Sequence, residues 1–390
     1  MRNGLATVVC AGLLAAGCSS DQPILVGAVL SLTGENDYYG GPIRDGIQLA
    51  YSQIQADTEY PYELELRVVD SQSNADTAAT MLKQLYEEGS IAAIGGVTSV
   101  EALQMVPISE DHERVLVSPS ATSPQLSGIS SYFFRVIPSD FLGGTKMAGF
   151  ATQTLGLETA VVLAREEAYG RGVQQVFEAE FERLGGEVLE TIEYPPGTMD
   201  FTGLVERVLN LDPGGVYLAG FAQDIAAIVE GLRAGGYDGD IMTTDAFATP
   251  DIIAEAGGVA NGVYLTQTVF DTTSEEPTVK AFVDAFRAQY DAEPSFYAAH
   301  GYDAMQVIAA AVAESGRLPS EFWKAMKGIR AFPGVTGSIQ FDDRGDAQKF
   351  PRVYIISRGQ LLDYDTEVAE RRQELLRRLE DLRRGRSGDG

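Results

Sequence analysis

Strand-like and helix-like segments alternate along this chain almost without a break, and that alternation restricts the fold more than any other feature. ILVGAVL (24–30) is an apolar run, followed by a loop and a helical pattern from Pro42 to about Ala56. YELELRVVD (62–70) alternates like a strand, and Asn74 to Glu88 follows as a helix with Asn74 and Asp76 as start signals. IAAIGG (91–96) reads as a buried strand, Ser99 to about Asp111 as a helix, and VLV (115–117) as the next strand. The second half repeats the scheme with TAVVLA (159–164), EVLETIEY (187–194), GVYLAG (215–220) and DIMTTD (240–245). Each is followed by a helical pattern, opening at Gly170, about Asp200, Gln223 and Pro250. Strands that alternate with helices in this way build parallel βαβ units, in doubly wound sheets. Two similar runs of four such units predict two lobes of one α/β architecture. In open α/β sheets, ligands sit beyond the carboxyl ends of the strands.

The connecting segments predict a hinge. YFFRVIPSD (132–140) leads from the first run to the second, with Ser139 or Asp140 capping the next helix. GVYLTQTVF (262–270) is a further strand, SEEP (274–277) opens three helical stretches, and GSIQFDDRGD (337–346) has the pattern of a hairpin. The chain therefore crosses between lobes more than once, which permits closure around a ligand. After Asp365 the sequence EVAERRQELLRRLEDLRRGR reads as a charged helix. Glu367–Arg371, Glu374–Arg378 and Glu380–Arg384 are favourable pairs at helical spacing, beside a narrow stripe of Leu375, Leu379 and Leu382. It is either a solvated terminal helix or a contact for a second copy or a partner.

Before the first strand stand Arg2, the short apolar run LATVVCAGLLAAG and the small residues Ala15-Ala16-Gly17. This is the pattern of a secretory signal over residues 1–17, too short to span a bilayer as a stable helix. The end of that segment, LLAAGCSS, resembles a bacterial lipobox, in which the cysteine, here Cys18, becomes the lipid-bearing N-terminus. An ordinary signal peptide cut near the same place is the alternative. An acylated Cys18 would hold a soluble body at a bacterial membrane, on the periplasmic or cell-surface side.

The formal charge of −27 repels phosphate and argues against nucleic acid as a partner. It permits a zwitterionic or cationic small molecule. An enzyme needs a nucleophile, an acid–base pair or a metal set in one place. The two histidines, His112 in EDHER and His300 in YAAHGYDAMQ, lie far apart in the sequence and read as an exposed and a helix-packing residue. With no GxGxxG, no P-loop and no free thiol in a chain that begins at an acylated Cys18, neither a nucleotide cofactor nor a metal is expected, and the reading is not an enzyme.

One loop remains to be explained. SPSATSP (118–124) places four hydroxyls at the end of a strand that reads as buried. Taken alone it is a solvated turn. Taken with ILVGAVLSLTGENDYYGGPIRDGIQLA (24–50), GGVTSVEAL (95–103) and FDDRGD (341–346), it resembles in order and context the type I periplasmic substrate-binding proteins, the Leu/Ile/Val-binding family of ABC importers. The similarity runs from about Ile24 to Tyr364.

That resemblance implies two Rossmann-like lobes joined by a multi-strand hinge. Residues 24–136 and 271–345 would form the first lobe, 137–270 and 346–364 the second, and 365–390 a helical tail. It implies an amino acid or a relative held between the lobes and delivered to an ABC permease. A surface-tethered sensor that signals to a membrane receptor is the other kind of protein the family supplies. In the first lobe Ser99, or Thr98 beside it, would bind the ligand carboxylate. Ser120 would offer a carbonyl to the ammonium, and the Thr122 hydroxyl would serve either head group. Tyr39, in the loop Tyr38-Tyr39-Gly40, would cover the side chain. From the second lobe Tyr169 and Phe221 would face the ligand, and Asp245 would take the ammonium. The Leu/Ile/Val binders usually carry the longer glutamate there, so the shorter acid points away from a plain branched-chain ligand. Their first-lobe disulfide has no counterpart, because neither cysteine lies in that lobe.

Overall fold

The structure, a computed structural model, describes residues 22–386. The signal-peptide reading, Cys10 and Cys18 lie outside the described residues.

Two sheets organise the chain. The first has five parallel strands, β1 (Ile24–Leu30), β2 (Leu64–Asp70), β3 (Ala92–Gly95), β4 (Val115–Ser118) and β5 (Phe133–Arg135), in the order β2-β1-β3-β4-β5. The helices α1 (Asp37–Ala56), α2 (Ala75–Glu87) and α3 (Ser99–His112) connect them. The second sheet contains β6 (Thr159–Arg165), β7 (Glu187–Tyr194), β8 (Gly215–Ala219), β9 (Asp240–Thr244) and β10 (Val263–Gln267), all parallel. Two antiparallel strands near the C-terminus, β13 (Arg352–Ser357) and β14 (Gln360–Asp363), extend it beyond β10. Between them in sequence lie α9 (Pro277–Tyr290), α10 (Phe296–Ser315), α11 (Pro319–Gly328) and the two-stranded ribbon of β11 (Phe332–Gly334) and β12 (Gly337–Ile339). The intervening helices are α4 (Asp140–Gln153), α5 (Ala168–Arg183), α6 (Thr202–Leu211), α7 (Ala222–Ala234) and α8 (Pro250–Ala256), and α12 (Tyr364–Arg386) ends the chain.

The chain is apolar where the sheets need it. Val26, Ala28 and Leu30 of β1, and Val161 to Ala164 of β6, are fully buried. Continuous apolar runs are required because helices cover both faces of a parallel sheet. His300 is likewise buried in α10, with Nδ1 against the carbonyl of Phe296 and its ring beside that phenyl, so it packs a helix.

Two sequence expectations need correction. The first helix opens at Asp37, five residues before Pro42, so Tyr38 and Tyr39 belong to its first turn and not to a loop. Glycine permits this start. A Cβ on Gly40 would lie 1.9 Å from the carbonyl oxygen of Ser31, so only a bare backbone can approach the end of β1 there. The regular two-stranded hairpin spans 332–339, with Gly337–Ile339 pairing back onto Phe332–Gly334, while the anticipated 337–346 turn is closed by a single antiparallel bridge from Phe341 to Ala347. The following FDDRGD segment forms a tight loop, because the Asp342 carboxylate accepts from the amides of Arg344 and Asp346. The third helix starts at Ser99 as anticipated, with Thr98 as its cap. The Thr98 hydroxyl accepts from the amide of Glu101, and the Glu101 carboxylate accepts from the Thr98 amide.

The tail helix forms two of its three anticipated pairs, Glu367–Arg371 and Glu374–Arg378, both at the surface. The side chains of Glu380 and Arg384 lie outside the described residues. Tyr364 fixes its start by packing against Phe150 and Tyr264 of the second lobe. No helix among the described residues is long and apolar enough to cross a membrane.

Candidate ligand-binding site

The hydroxyl cluster after β4 divides into two tasks. Ser118 builds the turn: its hydroxyl donates to the carbonyl of Gly96 and accepts from the amides of Ser120 and Ala121. The amide of Ser123 donates to the Ser99 hydroxyl at 3.2 Å, which ties the loop to the first turn of α3. Ser120 and Thr122 are left facing a cleft. Arg135, fully buried, holds the loop from behind. Its guanidinium donates to the carbonyls of Ala121 and Ser123 and to the Ser127 hydroxyl, and pairs with Asp346 at 2.7 Å. Asp346 is supplied by the last connecting segment, so the FDDRGD loop positions the hydroxyl loop.

The cleft is a cavity of about 290 Å³ between the lobes. That figure includes the open mouth of the cleft. All seven anticipated residues line it: Tyr39, Ser99, Ser120, Thr122, Tyr169, Phe221 and Asp245. Thr98, the one-residue alternative to Ser99, lines it too. Residues from opposite lobes therefore face one space. On the first-lobe side the free N–H groups at the start of α3 point a partial positive charge at it. On the second-lobe side Asp245 opens a short helical turn after β9, capped by the Thr244 hydroxyl. The cap is thus Thr244, and the Asp245 carboxylate is left for other work.

The tyrosines set the walls. The Tyr39 hydroxyl donates to the carbonyl of Ala246 and accepts from the amide of Ala222, both across the cleft. Tyr169 bonds to the Thr244 hydroxyl, and its ring stacks on Phe221 with centroids 5.3 Å apart. The Arg165 guanidinium lies 5.0 Å from the Phe221 ring and pairs with Asp224 and with Glu35 of the first lobe, each at 2.7–2.8 Å. These contacts make the arrangement a closed one. Burial pushes the phenols of Tyr39 and Tyr169 well above their ordinary range, so both stay neutral donors.

Sequence reasoning missed two residues. Tyr297, in the first turn of α10, lines the cavity and donates to the Asp245 carbonyl at 3.0 Å. It stands 4.7 Å from Tyr39, centroid to centroid, because α1 and α10 cross closely. Gly46 and Gly301 permit that crossing: a Cβ on either would fall within 2.3 Å of a backbone oxygen of the other helix. The second missed residue is Asp140. Ser139 caps α4, with its hydroxyl accepting from the amide of Phe141. The neighbouring Asp140 carboxylate is therefore free of the capping task, although either residue could have served.

The two acids are unusual. Asp245 is held well above the ordinary carboxylate range by burial first and by the charge of Asp140 second. Burial pushes Asp140 up to about 6, against the opposing pull of the Thr122 hydroxyl and Arg135. Asp245 resists ionisation the more strongly of the two, and Asp140 holds a proton only below about pH 6. A cation brought to them would shift both toward the ionised form.

A two-lobed α/β body closed over a small cleft, with hydroxyls on one face and the Asp245 carboxyl on the other, has the features of a solute-binding protein of the periplasmic type. Residues 23–357 match the family model described as periplasmic binding protein, and the chain belongs to that family. The chain is similar to the leucine-, isoleucine-, valine-, threonine- and alanine-binding protein of Pseudomonas aeruginosa, at 25% identity over 82% of this chain and 86% of that one. Among solved structures it is similar to a leucine-binding protein of Thermotoga maritima, with a TM-score of 0.82 and 28% identity, covering 88% of this chain and 99% of the other. A branched-chain amino acid transporter substrate-binding protein of Streptococcus pneumoniae, solved with isoleucine, gives a TM-score of 0.81 and 25% identity over 87% and 98% of the two chains. These relatives are substrate-binding proteins and not enzymes.

Proposed function

We propose that this protein is an extracytoplasmic solute-binding lipoprotein that captures an amino acid or a related small polar solute between its lobes and delivers it to an ABC-type importer. The carrying observation is the meeting of Ser99, Ser120 and Thr122 from one lobe with Asp245 and Tyr169 from the other around one cavity. In this reading residues 24–136 and 271–345 form the first lobe, and 137–270 and 346–364 the second. The ligand carboxylate lies at the α3 N-terminus, with the Ser99 and Thr122 hydroxyls as donors. The ammonium lies toward Asp245 and the Ser120 carbonyl. Tyr39 and Phe221 close over the side chain. The ligands named for relatives, leucine and isoleucine among them, support an amino acid as the class.

Closure follows from the anchors. Moving a two-lobed protein from 1:99 to 99:1 closed takes a preference of about 5.5 kcal/mol for the closed form. Two or three charge-assisted hydrogen bonds at about 1.5–3 kcal/mol each supply it. Residues 1–17 export the chain, and acylated Cys18 tethers it to the membrane. The test has two arms. Calorimetry on the chain from residue 19, against the twenty amino acids and matched carboxylates and amides, reads the ligand. Uptake of that ligand by a deletion strain reads delivery. Uptake is expected to fall with deletion. Uptake that survives while a cellular response disappears would replace transport by sensing.

A further inference from the structure

Beside the ligand cavity the two lobes also meet directly, where the start of α5 rests on the short turn that ends the hydroxyl loop. That turn, Pro124–Leu126, is capped by Ser123. The Ser123 hydroxyl donates across the seam to the carbonyl of Ala168, the first residue of α5, at 3.0 Å. One helical turn further on stands Gly172, also buried. A Cβ built on Gly172 would lie 2.9 Å from Pro124 Cδ and 2.9 Å from Ser123 Oγ. Non-bonded carbons pack best at about 3.5–4.0 Å, so a side chain at 172 does not fit this seam.

The first-lobe face of the seam is held rigidly. The Ser123 amide donates to the Ser99 hydroxyl, and the Ser123 carbonyl accepts from the buried Arg135 guanidinium. Pro124 presents a ring locked to the backbone, with no side chain to swing aside. On the α5 face, two glycines in one turn serve different ends. A Cβ on Gly170 would stand 2.2 Å from the carbonyl oxygen of Arg165 and 2.9 Å from that of Ala219, both in the second lobe. Gly170 is therefore a requirement of that lobe's own fold. Around Gly172 the three nearest atoms all belong to Ser123 and Pro124 of the first lobe, and no second-lobe atom beyond its own helix comes nearer than 3.7 Å. Its bare backbone is needed only when the lobes meet.

We propose that Gly172 is a positioning residue for closure, a notch that lets α5 seat on the Ser123-Pro124 turn, so that a side chain there wedges the lobes apart without touching the ligand. This rests on the reading above, in which ligand draws the lobes together, and adds to it a contact that closure depends on. The seam is coupled to the cleft by the chain itself. Ser120 and Thr122 precede Ser123 in the loop, Tyr169 follows Ala168 in the helix, and all three line the cavity, while Gly172 does not. A methyl group at 172 therefore acts with opposite signs in the two states. With the lobes apart, alanine in a helix interior is more stable than glycine, which loses more backbone freedom on folding. With the lobes together, the same methyl meets Pro124. A glycine required by the fold would not give that split.

The test has two arms, both on the chain from residue 19, which contains no cysteine. The first combines Ser123→Cys with Gly172→Cys. The Ser123 Cβ lies 3.7 Å from a Cβ at 172, within the span of about 3.5–4.5 Å that a disulfide bridges. Mild oxidation is expected to cross-link the pair, read as loss of both free thiols and reversed by reductant, and an amino acid that binds wild type should speed it by about tenfold or more. The second arm compares Gly172→Ala, Gly172→Leu and the control Gly149→Ala by calorimetry with the twenty amino acids and by thermal melting without ligand. Gly149 lies within α4, with open space where its Cβ would be. Gly172→Ala is expected to bind about five- to thirtyfold more weakly and Gly172→Leu roughly 100-fold or more, as overpacking of a fixed contact costs. Gly172→Ala should melt no lower than wild type, and Gly149→Ala should bind as wild type does. A cysteine pair that stays reduced with and without amino acid overturns the proposal. So does wild-type affinity in Gly172→Leu, or a Gly172→Ala variant that loses affinity and ligand-free Tm together. Each of these leaves the binding-protein reading standing. If no amino acid binds wild type, the ligand class of that reading fails, and cross-linking of the ligand-free chain decides alone whether the seam forms.

Discussion

Replacing Asp245 by asparagine removes a charge from the cleft and almost nothing from the fold. The Asp245 main-chain carbonyl, which accepts from the Tyr297 hydroxyl and the Ala248 amide, survives the change. The carboxylate is buried and raised well above its ordinary range, so the ligand-free protein gains little from its charge. Affinity responds differently. Truncating one partner of a buried charge pair costs about 2–5 kcal/mol, and part of what Asp245 offers is consumed in ionising it. A loss of about 2–4 kcal/mol is expected, roughly 30- to 700-fold in Kd at 1.4 kcal/mol per factor of ten. Calorimetry with the amino acid that binds wild type reads the affinity, and urea unfolding without ligand reads the stability. An Asp245→Asn variant with wild-type Kd would refute the assignment. So would a variant whose lost affinity is matched by a fall of several kcal/mol in ligand-free stability, because the acid would then be serving the fold.

Four further outcomes follow from the same geometry. Asp140 in the fold titrates near 6, above an unfolded aspartate at about 3.9, so the native state holds the extra proton between those values. Its contribution to ligand-free stability is therefore full below about pH 4 and lost as pH rises through 6, and amine binding at pH 6 should release protons, seen as a buffer-dependent calorimetric enthalpy. Arg135→Gln leaves Asp346 without its cation and frees the hydroxyl loop, and should cost about 3–5 kcal/mol in denaturant unfolding. Gly46→Ala would force α1 and α10 apart, since its Cβ meets the Ala298 oxygen at 1.9 Å, and should lower both Tm and ligand affinity through Tyr39 and Tyr297. Glu35→Gln breaks the cross-lobe pair with Arg165, but Glu35 is 45% exposed, so affinity should weaken by less than about tenfold and the effect should shrink at high salt.

The sequence made the scaffold legible because each strand–helix boundary carries its own local signal. Asn74 caps α2, and its side chain accepts from Thr77 as a start signal should. The cleft residues Ser99, Ser120, Thr122, Tyr169, Phe221 and Asp245 were legible because they follow the carboxyl ends of strands in recognisable segments. Asp140 was not, since a Ser-Asp pair before a helix reads as capping, and only the coordinates show that Ser139 suffices. Tyr297 was hidden for another reason. It owes its place to the close crossing of α1 and α10, a contact between segments some 250 residues apart that no local pattern records. Tyr39 lines the cleft from the first turn of a helix and not from a loop, because Pro42 does not mark the helix start, and Gly40, not the proline, decides how near the backbone comes to β1.

A crystal structure of the chain from residue 19, with the amino acid selected by calorimetry, tests the account most directly. The ligand ammonium should lie within hydrogen-bond distance of Asp245, and its carboxylate should meet the first amide of α3 and the Ser99 or Thr122 hydroxyl, with Tyr39 and Phe221 closed over the side chain. A ligand seated outside this cleft, or one lying in it with its carboxylate against Asp245, would contradict the account.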